Sequence, residues 1–210
     1  MSLPNYSEAA ERNKEPILQV LLKYLSNEKD SGEQILEIAS GYGQHVSHFA
    51  KEFQNLIFHP SEMTDENFAI IKERTSSLSN VLTPTIIDIS REESLPFECK
   101  FKAIIAINLV HISPFKCCTM LMKHASEILK SSSSSAATGN GYLFLYGPFN
   151  VNGEFTSEGN RNFDENLKLR NPLWGIRDVE QVEKEANQFG LKLIERVSMP
   201  ANNFTLVFSL

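Results

Sequence analysis

The chain has 210 residues, enough for one domain with a sizeable core, and its 41% hydrophobic and 22% charged residues are the balance of a water-soluble globular protein. A net charge of −6 and a pI near 5.4 argue against a general nucleic-acid surface, and no apolar run approaches the ~20 residues of a membrane helix. The N-terminus lacks both a signal peptide's apolar centre and a transit peptide's arginines, so a cytoplasmic setting, with the nucleus also open, is expected.

In chain order, Ser7 to Asn13 predicts one or two helical turns. Pro16 fits the first position of a longer helix whose apolar face is Ile17, Leu18, Leu21, Leu22 and Leu25. Residues 34 to 39 read as a buried parallel strand with one acid, Glu37, inside it. Ser40-Gly41-Tyr42-Gly43 turns the chain, and Val46, Phe49 and Ala50 follow at helical spacing. His45 and His48 on that helix read as surface residues, because no further ligand is spaced to make a metal site with them. A second strand starts at Leu56 and ends at Pro60-Ser61-Glu62, and Thr64 is a plausible N-cap for a helix to about Ser76. The third strand lies within Val81 to Ile89. Pro84 predicts an edge position or a start at Thr85.

Phe101 to Leu109 is almost wholly apolar, hence a central fourth strand, and Ser113-Pro114 reads as N-cap and first residue of a helix to about Lys130. Residues 131 to 140, with five consecutive serines, read as a flexible inserted loop. Cys99, Cys117 and Cys118 make a poor disulfide framework; without a Cys-x-x-Cys pair, no metal is expected. Tyr142 to Tyr146 is the fifth strand. A helix at Arg161 to Arg170 is expected to pack through Phe163, Leu167 and Leu169. Trp174 reads as a packing anchor, with a lid role open. Asp178-x-x-Gln181 resembles a capping box for a helix that Gly190 ends, and Leu191 to Met199 and Phe204 to Phe208 are the last strands. Five rounds of strand and helix and a final strand pair predict a doubly wound, mostly parallel seven-stranded α/β sheet with a C-terminal antiparallel strand, one domain over residues 1 to 210.

The glycine turn narrows the ligand. Strand, glycine turn and helix form the first half of a nucleotide-binding unit, yet Val46 stands where a dinucleotide fold has its third glycine. Glu37-x-x-x-Gly41-x-Gly43 is instead similar to the S-adenosylmethionine (SAM) site of class I methyltransferases, where the strand acid sits near the methionine end of the cofactor. That likeness puts Glu37, Ala39, Ser40, Gly41 and Gly43 beside SAM, which carries an ammonium and a sulfonium and no phosphate. A nicotinamide reductase is disfavoured further because no Tyr-x-x-x-Lys pair occurs.

Ligands of open α/β sheets bind beyond the C-terminal strand ends. Glu62, ending strand two, can accept from ribose hydroxyls or serve as a polar cap. Asp88 reads as an acceptor for the adenine amine or as a turn acid. Asn108 lies at the lip of strand four, next to the expected methyl group. His111 beyond it is either a general base or a ring packed and hydrogen-bonded locally. Tyr146 is either a hydroxyl donor in a substrate pocket or a core aromatic, and Asn202-Asn203 either reach the same rim or form a plain turn. The cluster Glu11-Arg12-Asn13-Lys14 is a solvated face or a lid in which Arg12 or Lys14 pairs with the SAM carboxylate and Asn13 hydrogen-bonds it. The strand-four run is not Asn-Pro-Pro-aromatic, which makes adenine or amide nitrogen acceptors less expected.

Across nearly the whole chain, the blocks AAERNKEPIL, LEIASGYGQH, INLVHISP, YLFLYGPF, NPLWGIRDVE and MPANN resemble the methyltransferase-like protein twenty-six family. The resemblance implies a class I methyltransferase fold and supports Arg12, Asn13 and Lys14 as a cofactor lid. It also lifts His111, Tyr146, Trp174 and Asn202 as pocket residues. Tyr42, Glu62 in place of a shorter aspartate, and the serine run depart from the family pattern. The expected activity is methyl transfer from SAM to an oxygen or nitrogen of a small-molecule acceptor. A non-catalytic SAM or S-adenosylhomocysteine binder is the alternative.

Overall fold

The computed structural model describes residues 5–25, 32–129 and 141–210. The serine run at 131–140 lies outside these. Helix α1 (Glu8–Tyr24) opens on Ser7, whose Oγ accepts the Ala10 N–H at 3.2 Å. It is one continuous helix, with Pro16 in its interior and not at its start. Proline has no N–H, so the helical bond to the Arg12 carbonyl is missing there. Buried Ile17, Leu18 and Leu21 hold the C-terminal half against the sheet.

The sheet strands are β1 (Gln34–Ile38), β2 (Ile57–Glu62), β3 (Thr85–Ile86), β4 (Phe101–Ile107), β5 (Tyr142–Gly147), β8 (Lys192–Met199) and β9 (Asn203–Ser209). They lie in the order β3-β2-β1-β4-β5-β9-β8. Strands β1 to β5 pair in parallel, whereas β9 pairs antiparallel with both β5 and β8. Strand β3 is the edge and only two residues long, following Pro84. A small second sheet joins β6 (Phe149–Asn150) to β7 (Arg177–Asp178).

Each central strand alternates between two cores, as its period of two requires. Ile35, Ala103, Ile105, Phe144, Tyr146 and Val207 pack with α1 and α2 (Gln44–Glu52). Leu36, Ile104, Ala106, Leu143, Leu145 and Leu206 face the other way, onto α4 (Phe115–Ile128) and α6 (Val179–Gln188). By this alternation Glu37 belongs to the α1–α2 face. Chain order moves outward from β1 to β3 on one side and from β4 on the other, which puts the topological switch between β1 and β4.

Several local expectations are corrected. Helix α3 (Phe68–Thr75) is preceded by Asn67, not Thr64, as N-cap. Helix α4 has Pro114 as N-cap, one residue later than expected, and the Ser113 hydroxyl bonds the Leu109 carbonyl at 2.6 Å. Asp178 makes no cap bond to α6; its carboxylate accepts the Gly153 N–H at 3.1 Å and pins that turn instead. On α5 (Glu158–Arg170) only Leu167 of the three expected apolar contacts is buried. Leu169, two residues further round the helix, is 85% exposed. All three cysteines are free, Cys117 and Cys118 buried. Among the described residues no helix is long and apolar enough to cross a membrane, and no three His, Cys, Asp or Glu side chains gather to hold a metal.

Candidate ligand site at the switch point

The β1 end and its turn are built for close approach. Ala39 has φ +58°, a left-handed conformation that is uncommon for a residue with a Cβ. Gly41 also has positive φ, and a Cβ there would meet nothing within 4 Å, so its outer face is open to a ligand. Gly43 differs: a Cβ would come within 3.3 Å of Ile71 Cα, so this glycine lets α2 pack against α3. Ser40 ties the turn to β2, its N–H donating to the Ser61 carbonyl at 2.8 Å and its Oγ accepting the Ser61 N–H at 3.1 Å.

The acids sit on three strand ends. Glu37 is buried, and its Oε2 has no hydrogen-bond partner. Burial pushes its carboxyl up to about 8, eased by the Ser40 hydroxyl and reinforced by the nearby Glu62 charge. Glu62 lies at the end of β2 and accepts the Gly41 N–H. Burial raises its pKa, and the remaining lone-pair positions of its carboxylate are left for other donors. Asp88 forms a tight turn with the Ser90 N–H and hydroxyl, bonds that hold its carboxyl below the usual range.

Two cavities flank the end of β4. One, of about 350 Å³, has a floor of Ile38, Ile87, Ile89, Leu109 and Ile112, with Glu62, Asp88 and Trp174 at its edges. The other, of about 330 Å³, lies under α1 and is lined by Arg12, Asn13, Asn108, Tyr146, Asn160 and Phe163, among others. Asn108 and Leu109 are consecutive and line one cavity each. Asn108 is a second non-glycine residue in the left-handed region, with φ +60°. Its carbonyl accepts the His111 N–H at 3.2 Å, so the chain folds back sharply between the cavities.

The structure thus gathers Ala39, Glu62, Asp88 and Trp174 around the first cavity, with Gly41 bonded to Glu62. It gathers Arg12, Asn13, Asn108 and Tyr146 around the second. None of residues 39–43 lines the cavity under α1, while Asn13 bonds His45 in the first turn of α2, directly after the glycine turn. Lys14 is engaged with Glu11. Asn202 is exposed and its carbonyl accepts from Asn160 Nδ2 at 3.0 Å; Ala201 and Asn203 reach the rim.

His111 is corrected most. Its ring is fully buried, lines neither cavity, and stacks edge-on to Phe149 at 4.6 Å. Both ring nitrogens lack partners, and burial drives its pKa down to about 3, helped by the Arg177 charge. Gly147 makes the fit possible, since a Cβ there would lie 2.4 Å from His111 Nε2. His45 is corrected the other way: it is buried, and its Nε2 lies 2.6 Å from Asn13 Oδ1. Its spacing one turn before Phe49 was the available signal, because residues four apart share a helix face.

Three further residues escaped sequence reasoning. Arg177 donates to the carbonyls of Val110, Ser113 and Leu173, clamping the loop after β4. Gln44 Nε2 bonds the Ser7 carbonyl at 3.1 Å and Glu11 at 3.0 Å, docking α1 beside the glycine turn. Arg74 bonds the carbonyls of Tyr42 and Asn5 at 2.8 and 3.0 Å.

Solved structures share this architecture. Human N-acetylserotonin methyltransferase, solved in complex with SAM, matches with a TM-score of 0.74 at 11% identity, over 96% of this chain and 52% of its own. A putative O-methyltransferase from Nostoc punctiforme matches at 0.75 and 12% identity, over 96% and 57%. A putative sarcosine dimethylglycine methyltransferase from Galdieria sulphuraria matches at 0.70 and 13% identity, over 97% and 91%. The chain spans little more than half the length of the O-methyltransferases it matches. At these identities the likeness establishes a Rossmann-like methyltransferase fold. A family described as "Protein of unknown function (DUF938)" matches residues 4–210, and the chain belongs to that family.

Proposed function

We propose that the chain is a SAM-dependent methyltransferase, a single domain related to the methyltransferase-like protein twenty-six family, acting on an oxygen or nitrogen of a small-molecule acceptor. The observation that carries this reading is Glu37. A buried carboxyl with an unpartnered oxygen, four residues before an open glycine turn, suits a cationic ligand with no phosphate. SAM would supply an already activated methyl group on its sulfonium. Glu37 would hold the ammonium end, with Ala39, Ser40 and Gly41 beside it. Glu62 would take the ribose hydroxyls, and Asp88 the adenine amine over the apolar floor. Asn108 would stand at the divide, and Tyr146 on the acceptor side.

The residues' own contribution is alignment and exclusion of water. A second reading, a binder without turnover, is favoured by one observation. His111 is sealed, and neither a histidine nor a carboxylate lines the cavity under α1 among the described residues. Differential scanning fluorimetry with S-adenosylhomocysteine and with NADPH tests the cofactor class. Stabilisation by S-adenosylhomocysteine alone, lost in Gly41→Val, is expected. Stabilisation by NADPH alone overturns the reading.

A further inference from the structure

The polar wall under α1 has a direction. Asn13 Oδ1 can only accept, so His45 Nε2 carries the proton of their 2.6 Å bond. Asn13 and Tyr146 both line the cavity, where the Tyr146 hydroxyl can donate to a ligand. Arg12, the one charged side chain lining this cavity among the described residues, also only donates. Its present partner, Glu8, is 3.8 Å away across a solvated pair that competes weakly. Asn160 is occupied, its Nδ2 bonded to Thr156 and Asn202. Beside the amides of Asn108 and Asn203, the remaining walls are mostly apolar rings: Pro16, Pro148, Phe163 and Pro200.

We propose that the cavity under α1 is the subsite of a small carboxylic acid with an apolar body, in which the Tyr146 hydroxyl and the Arg12 guanidinium hold the carboxylate. In this subsite His45 is a positioning residue that holds the Asn13 amide in the cavity wall. The inference deepens the methyltransferase reading by naming its acceptor class, and it rests on that reading for the word acceptor. The absence of a base from the cavity walls fits the same class, because a carboxylic acid is already ionised at neutral pH. No residue of the glycine turn lines this cavity, although Glu37 shares the α1–α2 face with it.

Ligand-observed NMR with the full chain, with and without S-adenosylhomocysteine, tests the subsite using three probes of one size: benzoate, benzyl alcohol and benzylamine. Benzoate is expected to bind in the millimolar range or better, and the neutral and cationic probes not to bind. Tyr146→Phe and Arg12→Ala should each weaken benzoate about tenfold, the scale of one hydrogen bond to a charged group. His45→Leu should weaken it as Asn13→Leu does, and should add nothing in the Asn13→Leu background; a merely structural role would add in both. Benzylamine binding as well as benzoate, no benzoate binding, or benzoate binding indifferent to Arg12 and Tyr146 overturns the proposal. So does an Arg12→Ala chain that loses S-adenosylhomocysteine affinity and keeps benzoate. Benzoate binding in a chain that does not bind S-adenosylhomocysteine would leave the anion subsite standing and remove the methyltransferase reading. The reverse pattern would do the opposite.

Discussion

Glu37 and His111 show how one environment neutralises opposite chemistries. Both are buried without full hydrogen bonding, so the acid is held protonated and the base unprotonated. The sign for Glu37 follows from its values. Unfolded it ionises near 4.5 and folded near 8, so folding takes up a proton between those pH values. Its contribution to stability is complete below pH 4.5 and is lost as pH rises through 8. Glu37→Gln should therefore flatten the fall in urea stability between pH 5 and 8.5 and, at the upper end, exceed the parent by roughly 5 kcal/mol. An unchanged pH profile in that variant would refute the buried-acid assignment. Glu37 could be singled out in the sequence, because an acid inside an apolar strand before a glycine turn is conspicuous. The sealing of His111 could not, because it depends on Gly147, which is distant in sequence and adjacent in space.

At the scale of elements, α1 is two halves with different anchors. Residues 17 to 21 are fixed by the core, whereas the first turns depend on polar contacts from Gln44 and Arg74. Pro16 removes the helical bond to the Arg12 carbonyl between the halves. Gln44→Ala should therefore speed amide exchange at residues 8–14 by about tenfold and leave residues 17–24 unchanged, a local opening measurable by hydrogen-exchange mass spectrometry. Uniform acceleration along α1 would contradict that division. The sequence placed each of the long elements, because apolar periodicity marks them strongly. It misplaced caps at Thr64 and Ser113; at Asp178 the N-cap position is right, but the side chain bonds Gly153 and makes no cap bond. The Gln44 and Arg74 docking contacts have no sequence period, since their partners lie 32 or more residues away.

At the scale of the whole molecule, the sheet order turns short motifs into a site. Placing β1 beside β4 brings the glycine turn, the β2 acid and the fold-back at Asn108 around one crevice, although 71 residues separate Glu37 from Asn108 by subtraction of their numbers. That adjacency was legible because the strand-and-helix alternation admits few doubly wound orders. The separate cavity under α1 was not legible, because it depends on how α1, β5, α5 and the β8–β9 connection meet. The central claim is that the crevice binds SAM through Glu37, and calorimetric titration of S-adenosylhomocysteine at pH 7 tests it most directly when repeated in two buffers of different ionisation enthalpy. Pairing with the ligand ammonium should ionise Glu37, so 1:1 binding should release about one proton, and Glu37→Gln should bind more weakly with none released. No binding, or binding with no proton release and equal affinity in Glu37→Gln, would contradict it.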